Sequence, residues 1–229
     1  MRVFVDFDGT IALEDTTDVI LERFAGPDWR NVEAEWIAGT IGSRECLARQ
    51  IDLVRASPAA LDAIVDDVPL DPHFPQFLAF CRSRGVPVTV VSDGLDRVVT
   101  RMLAAAGIDV PVLANHLEWL GADRWRLNFP HFDGGCSAQA GNCKCAALGR
   151  EAGTMRIMVG DGRSDFCAAQ IADFVLAKGA LAEHCQRAGT SYCVFGSFAG
   201  ATVLLRDWLD ALAGSLLADR GGSAHAPSA

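Results

Sequence analysis

Three short apolar runs organise this chain, and each ends in a polar cluster. Val3-Phe4-Val5 leads into Asp6-Phe7-Asp8-Gly9-Thr10. Val86 to Val91 leads into Ser92-Asp93-Gly94, and Met155 to Val159 leads into Gly160-Asp161-Gly162-Arg163-Ser164-Asp165. Short continuous runs of this kind read as strands buried on both faces. Such strands pair in parallel, and parallel pairs need crossover connections, usually helical. The intervening pattern supplies them, with helices predicted over Phe74–Arg84, Arg97–Ala106, Lys144–Ala152, Phe166–Ile171, Leu181–Ala188 and Ala201–Ala213. Phe174–Ala177 adds a further strand, and Leu113–Trp119 with Arg124–Phe129 reads as a hairpin turning at Gly121-Ala122-Asp123. Ser92-Asp93-Gly94 itself reads as a turn.

The connection between the first two strands is unlike the others. From Asp15 to Val68, apolar residues recur at helical spacing: Val19, Ile20 and Phe24, then Val32 and Trp36, then Cys46, Leu47, Ile51 and Val54, then Leu61, Ile64 and Val65. Breakers at Gly26-Pro27, Gly39 to Gly42 and Ser57-Pro58 divide the stretch into four short helices. A connection this long, with apolar positions enough for its own core, predicts an inserted all-helical cap domain over 14–71. Residues 1–13 and 72–220 then form an α/β, Rossmann-like three-layer core with a mostly parallel sheet. Residues 221–229 read as a flexible polar tail.

Composition narrows the function classes. The 229 residues are half apolar and carry a formal net charge of −9. That balance argues against disorder and against nucleic-acid binding. No apolar stretch reaches membrane-spanning length, and the start lacks the long apolar region of a secretory signal. The expectation is a cytoplasmic protein with reduced thiols, no membrane contact and no nucleic-acid partner. Sequence leaves the oligomeric state open.

The polar clusters share one topological place, because each follows a strand, and open α/β sheets gather ligands at the carboxyl ends of their strands. Asp6, Asp8, Ser92, Asp161 and Asp165 are thereby expected to converge. Lys144, at a predicted helix start, joins them; it and Lys178 are the only lysines among 20 basic residues. Four carboxylates in one pocket resist ionisation unless compensated. A hard divalent cation, Mg²⁺ first, answers that need with oxygen ligands. A cation and an ammonium together suit a dianion such as a phosphate monoester. The Asp6-x-Asp8 spacing turns two side chains of one strand end to different sides, one towards metal and phosphorus, the other towards a leaving oxygen. Taken singly, each motif has an ordinary reading as a capped turn, a solvated helix start or a surface lysine. Their shared placement favours chemistry.

This ordered set resembles the haloacid dehalogenase superfamily, in its phosphoserine-phosphatase-like subfamily, which also places a helical insert between the first and second motifs. The resemblance implies that Asp6 is a nucleophile forming an aspartyl-phosphate and that Asp8 is the acid and base. It implies that Ser92 with the amides of Asp93 or Gly94 holds phosphoryl oxygens, and that Lys144 offsets charge. Mg²⁺ would be held by Asp6, the Asp8 backbone carbonyl and Asp161, with Asp165 helping directly or through water or Lys144. Asp15 falls where the subfamily puts an acidic cap residue facing substrate.

A narrower likeness, through Asn115-His116, Pro130-His131 and Cys143-Lys144-Cys145, links the chain to phosphatases of 2-hydroxy-3-keto-5-methylthiopentenyl-1-phosphate, of methionine salvage, and to phosphocholine and phosphoethanolamine phosphatases. Arg49 matches an Arg of the former, and Gln50 stands where a phosphoserine phosphatase carries an Arg. The expected function is hydrolysis of a small phosphorylated metabolite. Phosphotransfer to another alcohol and, in a different class, a phosphoacceptor signalling domain are the alternatives.

The remaining feature is sulfur. Of eight cysteines, Cys136, Cys143 and Cys145 cluster before and around Lys144. With His131 they could hold Zn²⁺, but Cys-x-Cys fits zinc knuckles poorly. A buried or redox-sensitive thiol cluster supporting Lys144 is the favoured reading, and the other five cysteines read as small buried hydrophobes.

Overall fold

The computed structural model describes residues 1–151 and 153–221. Seven strands form one sheet in the order β4-β3-β2-β1-β5-β6-β7. These are β1 (Arg2–Val5), β2 (Val88–Leu95), β3 (Val112–Gly121), β4 (Arg124–Asn128), β5 (Arg156–Gly160), β6 (Phe174–Ala177) and β7 (Cys193–Val194). All neighbours are parallel except β3 and β4, the expected hairpin. β1 lies in the middle, with Val5 in register with Val90 on one side and Val159 on the other.

The side-chain alternation of the strands builds two layers around the sheet. Val3, Val5, Val88, Val90, Ile157, Val159 and Leu176 face one way. They pack with α5 (Phe74–Ser83), α6 (Asp96–Ala105) and the start of α10 (Phe198–Gly221). Phe4, Val91 and Met158 face the other way, onto Ala147 and Leu148 of α7 (Lys144–Gly149) and Ala168 of α8 (Phe166–Ile171). Val175 and Ala177 continue that face towards α9 (Gly179–Ala188).

The stretch between β1 and α5 forms four helices: α1 (Thr16–Phe24), α2 (Trp29–Ile37), α3 (Ser43–Ile51) and α4 (Pro58–Asp66). Their inward residues, among them Ile20, Leu21, Trp29, Ile51, Leu61 and Val65, join the same apolar cluster as β1 and β2. The chain leaves and re-enters side by side. Ala12 bridges Leu70, Leu13 N–H donates to Pro69 at 2.9 Å, and Asp71 N–H donates to Ile11 at 2.8 Å. Trp125 of β4 donates its indole N–H to the Ala56 carbonyl at 2.9 Å, so the hairpin supports the helical insert. Arg97 and Arg101 of α6 grip Asp62 and Asp66 of α4.

Three departures from expectation have physical causes. Ser92-Asp93-Gly94 is not a turn: β2 stays extended to Leu95, with a register shift against β3 between Val91 and Leu95. A bulge of this kind frees backbone and side chains from the ladder. α10 begins earlier than expected because Asp71, remote in sequence, accepts from the Phe198 N–H at 2.9 Å. β7 has only two residues, too few to show a pattern. Residues 222–229 of the expected tail lie outside the described residues, and Gly221 belongs to α10; the helix expected over 144–152 ends at Gly149. Among the described residues, no helix is long and apolar enough to cross a membrane.

Phe198 is fully buried against Phe74, Phe77 and Phe195. Phe198→Ala is expected to cost about 3–5 kcal/mol of stability by emptying that site. The measurement is a urea titration, read as a lowered midpoint at unchanged slope. A shift worth less than about 1 kcal/mol would contradict the packing described.

Candidate active site

At the carboxyl end of β1, the Asp6 N–H is held by the Val159 carbonyl at 2.9 Å, which fixes where its side chain points. Asp161 and Asp165 follow β5, and Lys144 opens α7. The Lys144 Nζ donates to Asp6 Oδ1 and Asp165 Oδ1, both at 2.6 Å, and to Ser164 Oγ at 2.8 Å. Lys144 and Asp165 are essentially inaccessible to solvent, and Asp6 is buried. The second Asp165 oxygen accepts from the Asp161 and Gly162 N–H groups, each at 3.1 Å. Thr10 Oγ donates to Asp161 Oδ1 at 2.6 Å. Gly9 sits at φ +67°, and a Cβ there would collide with the Asp161 carboxylate, so the close approach needs glycine.

Asp8 points elsewhere. Thr16, the first residue of α1, donates to Asp8 Oδ1 through its N–H at 2.9 Å and its hydroxyl at 2.6 Å. The fully buried Ser92 donates to Asp8 Oδ2 at 3.4 Å and accepts from the Gly94 N–H at 2.9 Å. A Cβ at Gly94 would stand 2.5 Å from Asp8 Oδ2. Asp93 is held by three donors: Ser43 Oγ from α3 and Asn142 N–H, both at 2.7 Å, and Asn115 Nδ2 at 3.1 Å. Asn142 also donates its side-chain amide to the Ser92 and Leu113 carbonyls at 2.8 and 2.7 Å. These bonds hold the bulge of β2 against β3 and the loop before α7.

Charge in this cage is out of balance. Burial pushes Asp6 well above the usual carboxylate range; Asp165 and Asp161 add to the push, and Lys144 opposes it. Burial also raises Asp161. Burial would lower Lys144, but Asp165 and Asp6 outweigh it and keep the ammonium charged. Asp8 is pushed up to about 7 by burial and then by Asp15, against the pull of the Thr16 donors. Carboxylate oxygens of Asp6, Asp161 and Asp165 lie within 4.8 Å of one another, with a single ammonium between them. A hard cation with oxygen ligands fits this donor set and its negative excess.

The site opens into a cleft of about 380 Å³ between sheet and helical insert. Asp6, Asp8, Asp15, Asp93, Gly94 and Asp161 line it, whereas Ser92, Lys144 and Asp165 stand behind its wall. Asp15, exposed at the mouth of the cleft, caps α1 by accepting from the Thr17 and Asp18 N–H groups. The expectation for Arg49 is corrected. Arg49 is half exposed and forms a two-point pair with Glu35 at 2.7 and 2.8 Å, outside the cleft. Neighbouring helix positions point about 100° apart, so Gln50 and Cys46 of α3 face inward instead. Gln50 donates to Glu33 Oε2 at 2.8 Å.

Sequence reading missed Thr16, Ser43, Asn142, Ser164 and Glu33. Thr16 alone carried a usable signal, because Asp15-Thr16 begins a predicted helix whose free N–H groups must find acceptors. The thiol expectation is also revised: Cys145 is joined to Cys167 by a disulfide.

A parallel sheet with a carboxylate cage around one buried ammonium at its carboxyl end defines an α/β enzyme. The chain matches the family model for haloacid dehalogenase-like hydrolase over residues 3–170 and belongs to that family. It is 30% identical over 202 residues to a 2-hydroxy-3-keto-5-methylthiopentenyl-1-phosphate phosphatase of Brevibacillus brevis, covering 86% of this chain and 90% of that one. A phosphatase of the same name from Geobacillus thermodenitrificans is 31% identical over 204 residues, covering 86% and 91%. Among solved structures, a phosphoserine phosphohydrolase-like protein from Francisella tularensis superposes with a TM-score of 0.68 at 17% identity, covering 89% and 98%.

Thr16→Val keeps the backbone donor and removes the hydroxyl that holds Asp8. A hydrogen bond to a charged group is worth about 1.5–3 kcal/mol, so kcat on an aryl phosphate should fall roughly 10- to 100-fold. Arg49→Ala should leave kcat/KM within about twofold, as expected of a surface ion pair. A large loss in the Arg49 variant would contradict its placement.

Proposed function

We propose that this hydrolase is a Mg²⁺-dependent phosphomonoesterase of small metabolites that works through an aspartyl-phosphate on Asp6. The observation that carries this reading is the division of labour across one strand end. Asp6 is clamped to Lys144, while Asp8, two residues on, is held by the backbone and hydroxyl of Thr16. An Asp6 oxygen attacks phosphorus, and the ester P–O bond breaks. Asp8, protonated, gives its proton to the departing alcohol. As a carboxylate it then takes a proton from water, which attacks the aspartyl-phosphate and releases phosphate. Lys144 orients Asp6 and favours its ionised form against the push of burial. The Ser92 hydroxyl, once turned away from Asp8, and the amides around Asp93 and Gly94 would be the donors for phosphoryl oxygens. Mg²⁺ would be held by Asp6, Asp161 and the Asp8 backbone carbonyl, with Asp165 acting through Lys144, and would offset phosphoryl charge.

In this reading residues 14–71 are a cap domain over a core of 1–13 and 72–220. The paired segments at Ala12 and Leu70 are its stem. A cytoplasmic setting belongs to the same proposal, as does 2-hydroxy-3-keto-5-methylthiopentenyl-1-phosphate as substrate. The two relatives named above support that substrate. A second reading, phosphocholine or phosphoethanolamine, is favoured by the cap wall. Asp15, Asp18, Glu33 and Trp36 line it, and Arg163 is the sole basic residue among the described lining residues. The acidic groups on this wall suit a cationic leaving alcohol, while the Arg163 guanidinium lies over the Trp36 ring.

Asp6→Asn should abolish phosphate release while leaving the fold intact, and EDTA should remove activity that Mg²⁺ restores. Unchanged turnover in either experiment would end the proposal. A kcat/KM panel of the thiopentenyl phosphate, phosphocholine, phosphoethanolamine and phosphoserine separates the substrate readings. Product analysis with acceptor alcohols tests phosphotransfer, and steady turnover excludes a signalling domain.

A further inference from the structure

The phosphoryl chemistry leaves one cluster of reactive side chains unused. Cys136 and Cys143 are buried beside Cys145, and the three Sγ atoms lie within 4.8 Å of one another. Cys143 and Cys145 Sγ are 3.6 Å apart. Cys145 is in turn bonded to Cys167 on α8, which adds a fourth sulfur at the edge of the cluster. The fourth comes from an element 22 residues away in sequence. Among the described residues, His131 is not part of this group; its carbonyl accepts from the Cys143 N–H at 3.3 Å.

A tetrahedral ion with metal–sulfur bonds of about 2.3 Å holds its sulfurs about 3.8 Å apart. The Cys143–Cys145 spacing meets that edge length, and Cys136 lies within reach of both. The Ala146 N–H already points at Cys143 Sγ, at 3.4 Å. Amide donors of this kind orient and stabilise a ligating sulfur. Poor Cys-x-Cys spacing is no obstacle once Cys136 and Cys167 approach from other segments.

We propose that Cys136, Cys143, Cys145 and Cys167 form a tetrathiolate Zn²⁺ site when the Cys145–Cys167 bond is reduced. A thiol reductant supplies two electrons and two protons, converting the disulfide to two thiols. Zn²⁺ then displaces four protons, one from each sulfur, and bonds to the four thiolates. Disulfide and metal site are alternative states of the same atoms. Soft thiolates select Zn²⁺ and the carboxylate cage selects a hard cation, so the two sites sort their ions by ligand type. The ion ties the first turn of α7 to the first turn of α8. Cys143 and Cys145 flank Lys144, and Cys167 follows Asp165 by two positions, so the tie spans the elements that present the buried ion pair.

The test uses the full chain, reduced with a phosphine under anaerobic conditions and titrated with Co²⁺. One equivalent should give sulfur-to-cobalt charge-transfer absorption, which one equivalent of Zn²⁺ bleaches. Metal analysis should then find one Zn²⁺ per chain. Cys136→Ser and Cys167→Ser should each weaken Zn²⁺ binding at least 10-fold. No charge-transfer band in the reduced parent chain overturns the proposal, whatever the variants do. So does a Cys167→Ser chain that titrates like the parent. Co²⁺ in the carboxylate cage gives no sulfur band, so failure here leaves the Asp6 chemistry standing. Failure of Asp6→Asn to lose activity leaves the sulfur site standing.

Discussion

A lysine ammonium lies out of water between two aspartates, and the rest of the structure is arranged so that this is tolerable. Breaking such a buried contact from either side strands a charge, at a cost of several kcal/mol. Lys144 reaches Asp6 and Asp165 at the same distance, so it holds together the ends of β1 and β5 as well as their charges. Asp165 in turn takes two backbone N–H groups from the loop after β5. The pair is thus part of a network in which both Asp165 oxygens and Asp6 Oδ1 have donors, and satisfied buried polar groups of this kind favour a unique arrangement.

The sheet makes this arrangement possible because β1 and β5 are adjacent and in register. Parallel strands with both faces covered end at the same level, so residues one or two beyond each strand become neighbours. The register shift in β2 does a different service. It lifts Ser92 to Gly94 out of the ladder, and two asparagines then hold that segment in place. Asp8 is steadied from a third direction by the start of α1, where the first amides of a helix are free to donate.

Much of this was readable from residue order alone. Strand ends rich in aspartate located the cage, the long helical interval located the insert, and Gly121-Ala122-Asp123 located the hairpin. These signals are local, and local physics produces them. What escaped reading depends on contacts between distant segments. Nothing near Phe198 announces that Asp71 will cap its helix. Nothing in Cys-x-Cys announces a partner on α8. The choice between Arg49 and Gln50 turned on one step of helical rotation, which an alignment of single positions does not resolve. The bulge in β2 hid for the opposite reason: Ser-Asp-Gly is good turn chemistry, and tertiary pairing overrode it.

Asp71 carries a mechanical consequence. One of its oxygens holds the His73 N–H and the other the Phe198 N–H, so the return path of the insert is riveted to the last helix. Beyond that rivet, the short paired segments at Ala12 and Leu70 join the insert to the sheet. The return path of the insert therefore meets the sheet at a fixed point, like a bracket bolted to the last helix.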